Sequence, residues 1–188
     1  MFRKKTDTHP KQQYQRDDEG RIVINMTVKD DSDFLSVFSQ SDTPVIGSEV
    51  AEFIENITSS ILPKEQLTLR IHSDCIDETE KELYREGIRE YYSEKSIANE
   101  RELKRNNVVS LLLLIAGVLV LALQLILEYS FNSVIWAEVI DIAAWVFLWE
   151  AADIRFFGNR SLLLKNKRYR SYLSMKIEYV DITKTSVG

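Results

Sequence analysis

The chain has 188 residues and a mass of 21.9 kDa; 45% of its residues are hydrophobic, 28% are charged, and its formal net charge is −5. At roughly 100–200 residues per domain this is one domain's worth of polypeptide, and the composition excludes a collagen, a disulfide scaffold or a wholly disordered chain. Cys75 is the only cysteine, which excludes an internal disulfide and a Cys-rich zinc cluster, and the acidic balance argues against general nucleic-acid binding.

Residues 1–20 are polar, lack apolar periodicity and read as a disordered tail. Arg21 to Val28 alternates, with Ile22, Ile24, Met26 and Val28 on one side and Asn25 and Thr27 on the other, which predicts a strand. Residues 29–47 mix acids, serines, Pro44 and Gly47 around Phe34, Leu35, Val37 and Phe38, and read as a loop. Ser48 is placed to cap a helix from Glu49 to about Ile61; its apolar stripe is Val50, Phe53, Ile54, Ile57 and Ile61, and Pro63 ends it. Gln66 to His72 alternates again. Strand, helix, strand predicts a βαβ unit with parallel strands. Asp77 and Glu80 have the spacing of a capping box and open a long helix to Asn106, with Tyr84, Ile88, Tyr91 and Ala98 on its apolar edge.

Val108 to Leu127 is a run of twenty uncharged residues whose only polar side chains are Ser110 and Gln124. As a helix it is about 30 Å long, the thickness of a hydrocarbon core. A chain this small can hardly enclose such a helix on all sides, which favours a membrane span over a buried helix. No proline separates it from the preceding helix, so the two read as one rod of about 50 residues, roughly 75 Å long. After a six-residue connection, Glu128 to Ser133, a second apolar stretch runs from Val134 to about Phe157. It carries Glu138, Asp141, Glu150 and Asp153, so two readings stand: a returning span at about 134–154, or a helix lying in the interface. The short connection favours an antiparallel hairpin over residues 107–157.

Charge sets the expected orientation. Residues 1–106 hold 16 basic and 22 acidic residues, net −6; residues 107–150 hold four acids and no base, net −4; residues 151–188 hold eight bases and three acids, net +5. Lys104 and Arg105 precede the first span, Arg155 and Arg160 follow the second, and the connection has neither Lys nor Arg. The positive-inside rule then places both termini in the cytoplasm of a two-pass inner-membrane protein. The N-terminus has no apolar signal-peptide core, so the first span is expected to direct insertion. Gly158–Asn159 reads as a break, followed by a basic cytoplasmic segment, residues 158–188. Within it, residues 175–182 are either a third strand completing the sheet or further helix; their β-prone composition favours the strand. The whole is an α+β fold: a small cytoplasmic βαβ-containing unit over residues 21–106, with a long helix running into a two-helix transmembrane hairpin.

The run HSDCIDETEKELYREGIREYYSEKSIANERELKRNN before the first span, with WEAADIRFFGNRSLLLKNKRYRSYLSMKIEY from the second onward, resembles a group of bacterial two-span membrane proteins. The resemblance covers most of the chain. It implies a bacterial cell membrane and brings no function.

Four side chains are candidate intramembrane polar contacts: Gln124, Glu138, Asp141 and Asp153. At about 100° per residue, Glu138, Asp141, Trp145, Trp149 and Asp153 fall within about 120° of one helix face. Folding the hairpin sets Gln124 level with Glu138, and Asp153 near Lys104 and Arg105. Hairpin packing, self-association and ion conduction are the three roles open to this face. Ala137, Ala144 and Ala151, spaced by sevens, suit close packing of the second span on the first. Arg160, Lys165, Lys167, Arg168 and Arg170 are candidate contacts for anionic lipid headgroups, or serve topology alone. The acids Glu78, Glu82, Glu86 and Glu90 offer a basic partner a face, or are simply solvated. No phosphate-binding, nucleophile-elbow or zinc-protease motif is present, and His72, Asp74 and Cys75 are merely adjacent, so neither enzyme, cofactor nor metal site is expected. The partners expected are the bilayer, the chain itself or another membrane protein, and not nucleic acid. The function these features favour is a membrane-anchored interaction or scaffold module; the alternative is a small oligomeric transport or pore-forming protein using the acidic face of the second span.

Overall fold

The computed structural model describes residues 14–39, 44–131 and 134–182, with the side chains of residues 130–137 left aside. In chain order the elements are β1 (Ile22–Thr27), α1 (Ser48–Thr58), β2 (Leu67–His72), α2 (Glu78–Phe131), α3 (Val134–Asp153), a π-helical turn (Ile154–Gly158), α4 (Asn159–Leu173) and β3 (Lys176–Val180). They form two compact units, one of residues up to Ile88 together with residues from Ser174 onward, the other Arg89–Leu173.

The first unit is built on a three-stranded sheet in the order β1-β2-β3, parallel throughout. Period-two alternation divides its side chains. Ile24, Leu69 and Ile177 share one row, and Met26, Ile71 and Tyr179 the next; on the other face Asn25, Arg70 and Glu178 line up, as do Thr27, His72 and Val180. The apolar face closes over Ala51, Ile54, Ile61, Tyr84 and Ile88. Phe34 stacks on Tyr84 with ring centroids 4.2 Å apart, and the Tyr84 hydroxyl donates to Asp31. On the polar face Arg70 Nη2 lies 3.0 Å from Glu178, and His72 Nε2 lies 3.1 Å from Asn25 Oδ1.

Several boundaries differ from the sequence expectation. The tail expected over residues 1–20 is structured from Tyr14. Asp17 accepts from the backbone of Glu19 and Arg21 and from Thr68 Oγ1 at 2.7 Å, Gly20 takes a positive φ, and Val23 donates to Gln15 along the edge of β1. Residues 1–13 lie outside the described residues. Gly47, not Ser48, holds the N-cap position of α1, and, having no side chain, it supplies no side-chain cap. The helix stops at Thr58, before Pro63, where the Thr58 hydroxyl turns back onto Ile54 O at 2.7 Å. Its buried face is Ala51, Ile54 and Thr58, one position round from the predicted stripe; Val50 and Phe53 are half-buried and Ile57 is exposed.

α2 opens on the expected capping box, Asp77 N–H to Glu80 and Glu80 N–H to Asp77, both 2.8 Å. It then runs unbroken for 54 residues through Phe131, so the connection expected over Glu128–Ser133 is helical to Phe131; residues 132–133 lie outside the described residues. Gly158–Asn159 is not a break. The backbone stays helical from α3 through the π turn into α4, with Asn159 N–H reaching Ile154 O. β3 is a strand, parallel to β2. The whole of α2, α3 and α4 is therefore the connection between two neighbouring strands.

Candidate functional site

The second unit is an antiparallel pairing of α2 with α3 and α4, and its seam repeats every 3.5 residues. On α2, Tyr92, Ser96, Asn99, Ser110 and Gly117 are buried, with Leu103 and Gln124 half-buried between and beyond them. On α3 the matching positions are Ala144 and Ala151. Ser110 Oγ donates to Ala151 O at 2.8 Å, and a Cβ added to Gly117 would lie 2.8 Å from Leu148 and 3.4 Å from Ala144 O. Small residues let the backbones approach this closely. The packing expected of the alanine series thus holds at Ala144 and Ala151; the side chain of Ala137 lies outside the described residues. The predicted edge of Tyr91 and Ala98 is displaced. Beyond Ile88 the inward residues of α2 are Tyr92, Ser96 and Asn99, because a seam of serine, asparagine and glycine is invisible to a search for apolar spacing.

The π turn resets this seam. Counting by sevens from Ala144 and Ala151 arrives at Gly158 and Lys165, both exposed; the residues turned inward are Asn159 and Asn166, one position later. One extra residue in the helix accounts for that offset. Asn159 donates to Asn107 Oδ1 at 2.8 Å, Asn99 donates to Leu162 O at 2.9 Å, and Tyr92 packs on Tyr172 with centroids 4.4 Å apart. Leu162 is buried here, not free to enter a lipid interface. Asn159 Oδ1 is buried with no hydrogen-bond partner among the described residues.

With the alanines facing α2, the acid–tryptophan face of α3 turns sideways and out. Glu138, Trp145, Trp149, Glu150 and Asp153 are exposed and Asp141 is half-buried. Hairpin packing therefore does not use this face. Among the described residues Asp141 makes no hydrogen bond or ion pair, none joins Gln124 to Glu138, and Asp153 pairs with neither Lys104 nor Arg105; Arg105 lies 3.9 Å from Glu102. A shallow groove runs between Ile142, Trp145, Val146, Trp149 and Glu150. An ionised carboxylate at the centre of a bilayer costs about 2.5–3.5 kcal/mol on insertion scales.

The basic residues are spread along α4. Arg160, Lys165, Lys167 and Arg170 are exposed, Arg168 is half-buried, and Arg170 sits 3.6 Å from Glu100. Of the acids at the start of α2, Glu78 and Glu82 pair within their own helix, with Lys81 and Arg85, while Glu86 and Glu90 are exposed.

In the first unit, a cavity of about 460 Å³ opens where β1 ends and α1 begins. Met26, Phe34, Val50 and Phe53 give it an apolar wall, and Asp30, Asp33 and Glu49 an acidic one. Open parallel sheets bind ligands at the carboxyl ends of their strands. The half-buried Val50 and Phe53, which sequence periodicity assigned to the core, are its sequence signal. Beside it Val37 and Phe38 stand 83% and 88% exposed. His72, Asp74 and Cys75 are not brought together: His72 meets Asn25, Asp74 accepts from Ile182 N–H, and Cys75 lies against Ser73 Oγ. Compared with protein-family models, curated proteins and solved structures, the chain finds no match in any of the three.

Proposed function

We propose that the chain is a two-pass inner-membrane protein whose helical hairpin anchors a small sheet unit for interaction with other proteins. The observation that carries this reading is the outward surface of α2. It is the one helix among the described residues that is long and apolar enough to cross a membrane, and only 11% of its most apolar window is buried. Leu112, Leu119, Leu125 and Ile126 are each at least 60% exposed. Apolar surface on this scale needs a non-aqueous neighbour.

Topology supports the second span independently of hydropathy. β2 precedes α2 and β3 follows α4, yet the two strands are hydrogen-bonded neighbours. Both must lie on one side of any membrane, so the chain crosses an even number of times. If α2 goes out, α3 brings it back, acids included. Lys104, Arg105, Arg155 and Arg160 flank the two spans at the ends from which the chain leads to β2 and β3, which favours the cytoplasm for the sheet. These four are also the cations best placed for anionic headgroups. Arg170 is ten residues, about 15 Å, beyond Arg160, while the field of an anionic leaflet decays over a Debye length of about 8 Å.

The interaction role rests on what the sheet unit displays: the acid-walled cavity and the exposed pair Val37–Phe38. Alkaline carbonate extraction of membranes tests the anchor: the protein stays in the pellet, and its release into the supernatant would contradict the span. A photo-crosslinking residue at Phe38 tests the rest. Adducts of discrete mass are expected there and not from the same residue at Glu94 on α2; their absence would remove the case for a partner at this loop.

A further inference from the structure

We infer that the π turn and the helix ends beside it form a binding site for an anionic phospholipid, with Arg155 and Arg160 on its phosphate and Phe156 and Phe157 against the head of its acyl chains. The inference rests on the reading that the hairpin crosses the bilayer, and it names the lipid class that the cytoplasmic end of the hairpin selects.

Three bonds across the seam set the level of the cations. Ser110 meets Ala151 O, Asn107 meets Asn159, and Asn99 meets Leu162 O. Lys104 and Arg105 lie between Asn107 and Asn99 on α2, and Arg160 lies between Asn159 and Leu162 on α4, so the three share one level. Arg155 is about one turn nearer the apolar run that starts at Val108. All four cations are exposed. Arg105 has Glu102 3.9 Å away, while Lys104, Arg155 and Arg160 make no ion pair among the described residues. In the sheet unit, by contrast, Arg16, Arg21, Arg70 and Lys176 each meet a carboxylate.

The π turn adds aromatic surface here. A helix packed along one side turns a residue inward every three or four positions. Between Ala151 and Asn159, both buried, no residue is buried, and Arg155, Phe156, Phe157 and Gly158 are exposed in succession. The two phenylalanines are 71% and 69% exposed. π turns inserted into α-helices are frequent at functional sites.

Rings and cations side by side choose the ligand. A free phosphate leaves both phenyl rings in water, and a purely apolar partner leaves the guanidinium groups unanswered. A molecule that meets both carries its negative charge at the end of an apolar chain, as an anionic phospholipid does. Arginine suits its phosphate, because the planar fork takes two oxygens at once. A zwitterionic headgroup would set its own cation against four others. Val108 on α2 and Trp149 on α3 are exposed on the membrane side of the rings, so the acyl chains continue along the hairpin.

The full chain in phosphatidylcholine vesicles reports the lipid through its own tryptophans, since Trp149 lies about 10 Å along the helix from Phe156. The probes are phosphatidylglycerol and phosphatidylcholine brominated on the acyl chains, which quench indole on contact. The anionic probe should bind about fivefold more tightly than the zwitterionic one, and Arg155→Gln with Arg160→Gln should remove the preference. Lys167→Gln with Arg170→Gln takes the same charge from further along α4 and should leave the preference unchanged; an equal loss there would overturn the site in favour of general attraction. Equal quenching by both probes would overturn the site and leave the anchor standing. Quenching by neither, with release by alkaline carbonate, would overturn the span and the site together. Inorganic phosphate that abolished the preference at constant ionic strength would overturn a lipid as the ligand.

Discussion

Single residues hold the hairpin and the sheet unit to close tolerances. Gly117 faces Leu148 where no side chain fits without movement. Gly117→Ala must shift the whole Leu148 side chain, whose Cγ lies 2.9 Å from the added Cβ, whereas Gly117→Ile must part the helices, at about 1–3 kcal/mol. Denaturant titration in micelles should rank Gly117→Ile well below Gly117→Ala, and equal stability would contradict the seam. Ser110→Ala should cost less, about 1 kcal/mol, the net worth of one hydrogen bond. Gly47 is tighter still, because an added Cβ would collide with the Asp33 carbonyl oxygen, which is backbone and cannot swing aside. Gly47→Ala should therefore destabilise the sheet unit by about 2 kcal/mol, read as a lowered melting temperature; an unchanged one would contradict the loop geometry. Gly47 could be read as a turn residue from the sequence, but not as a close approach, which depends on a carbonyl fourteen positions earlier.

At the level of elements, what was legible followed from local rules. Alternation located β1 and β2, and the Asp77–Glu80 pair located the start of α2. What was not legible depended on partners. The inward face of α1 is set by the sheet beneath it, and the polar seam of α2 by the asparagines and alanines of α3 and α4. β3 was ambiguous from its sequence alone because its cross-strand partner is Arg70 of β2, whose guanidinium meets Glu178. The Arg70 guanidinium, and then Lys176, hold the Glu178 carboxyl below its ordinary range; Lys176 and then Arg21 do the same for Glu19. Carboxylates lowered in this way bind fewer protons folded than unfolded. Their stabilisation is present above the ordinary carboxylate pKa and is lost as pH falls from about 4 through the lowered values. Glu178→Gln should cost about 1 kcal/mol at pH 7 and flatten the acid limb of a stability-against-pH curve; an unaltered limb would contradict the pairing. Burial pushes the Tyr179 hydroxyl up to about 12, and burial with the bond to Asp31 raises Tyr84 as well, so stability should also fall above about pH 10, and Tyr179→Phe should reduce that loss and leave the part due to Tyr84.

At the scale of the whole molecule, the informative feature is connectivity. The sequence announces one apolar helix plainly and a second one, crossed by four acids, only ambiguously. Pairing of β2 with β3 turns that ambiguity into a parity condition that hydropathy cannot supply, since it involves residues more than one hundred positions apart. In chain order, α2, α3 and α4 together form the connection between two neighbouring strands.

Site-directed labelling with a membrane-impermeant maleimide on intact cells checks this parity. Two single-cysteine proteins suffice: the native chain, whose exposed Cys75 precedes α2, and Ser130→Cys in a Cys75→Ser background, near the far end of α2. A two-pass hairpin with the sheet in the cytoplasm predicts that the Ser130→Cys protein is labelled from outside, and the native chain, at Cys75, only after permeabilisation. Labelling of both proteins from the same side would contradict it.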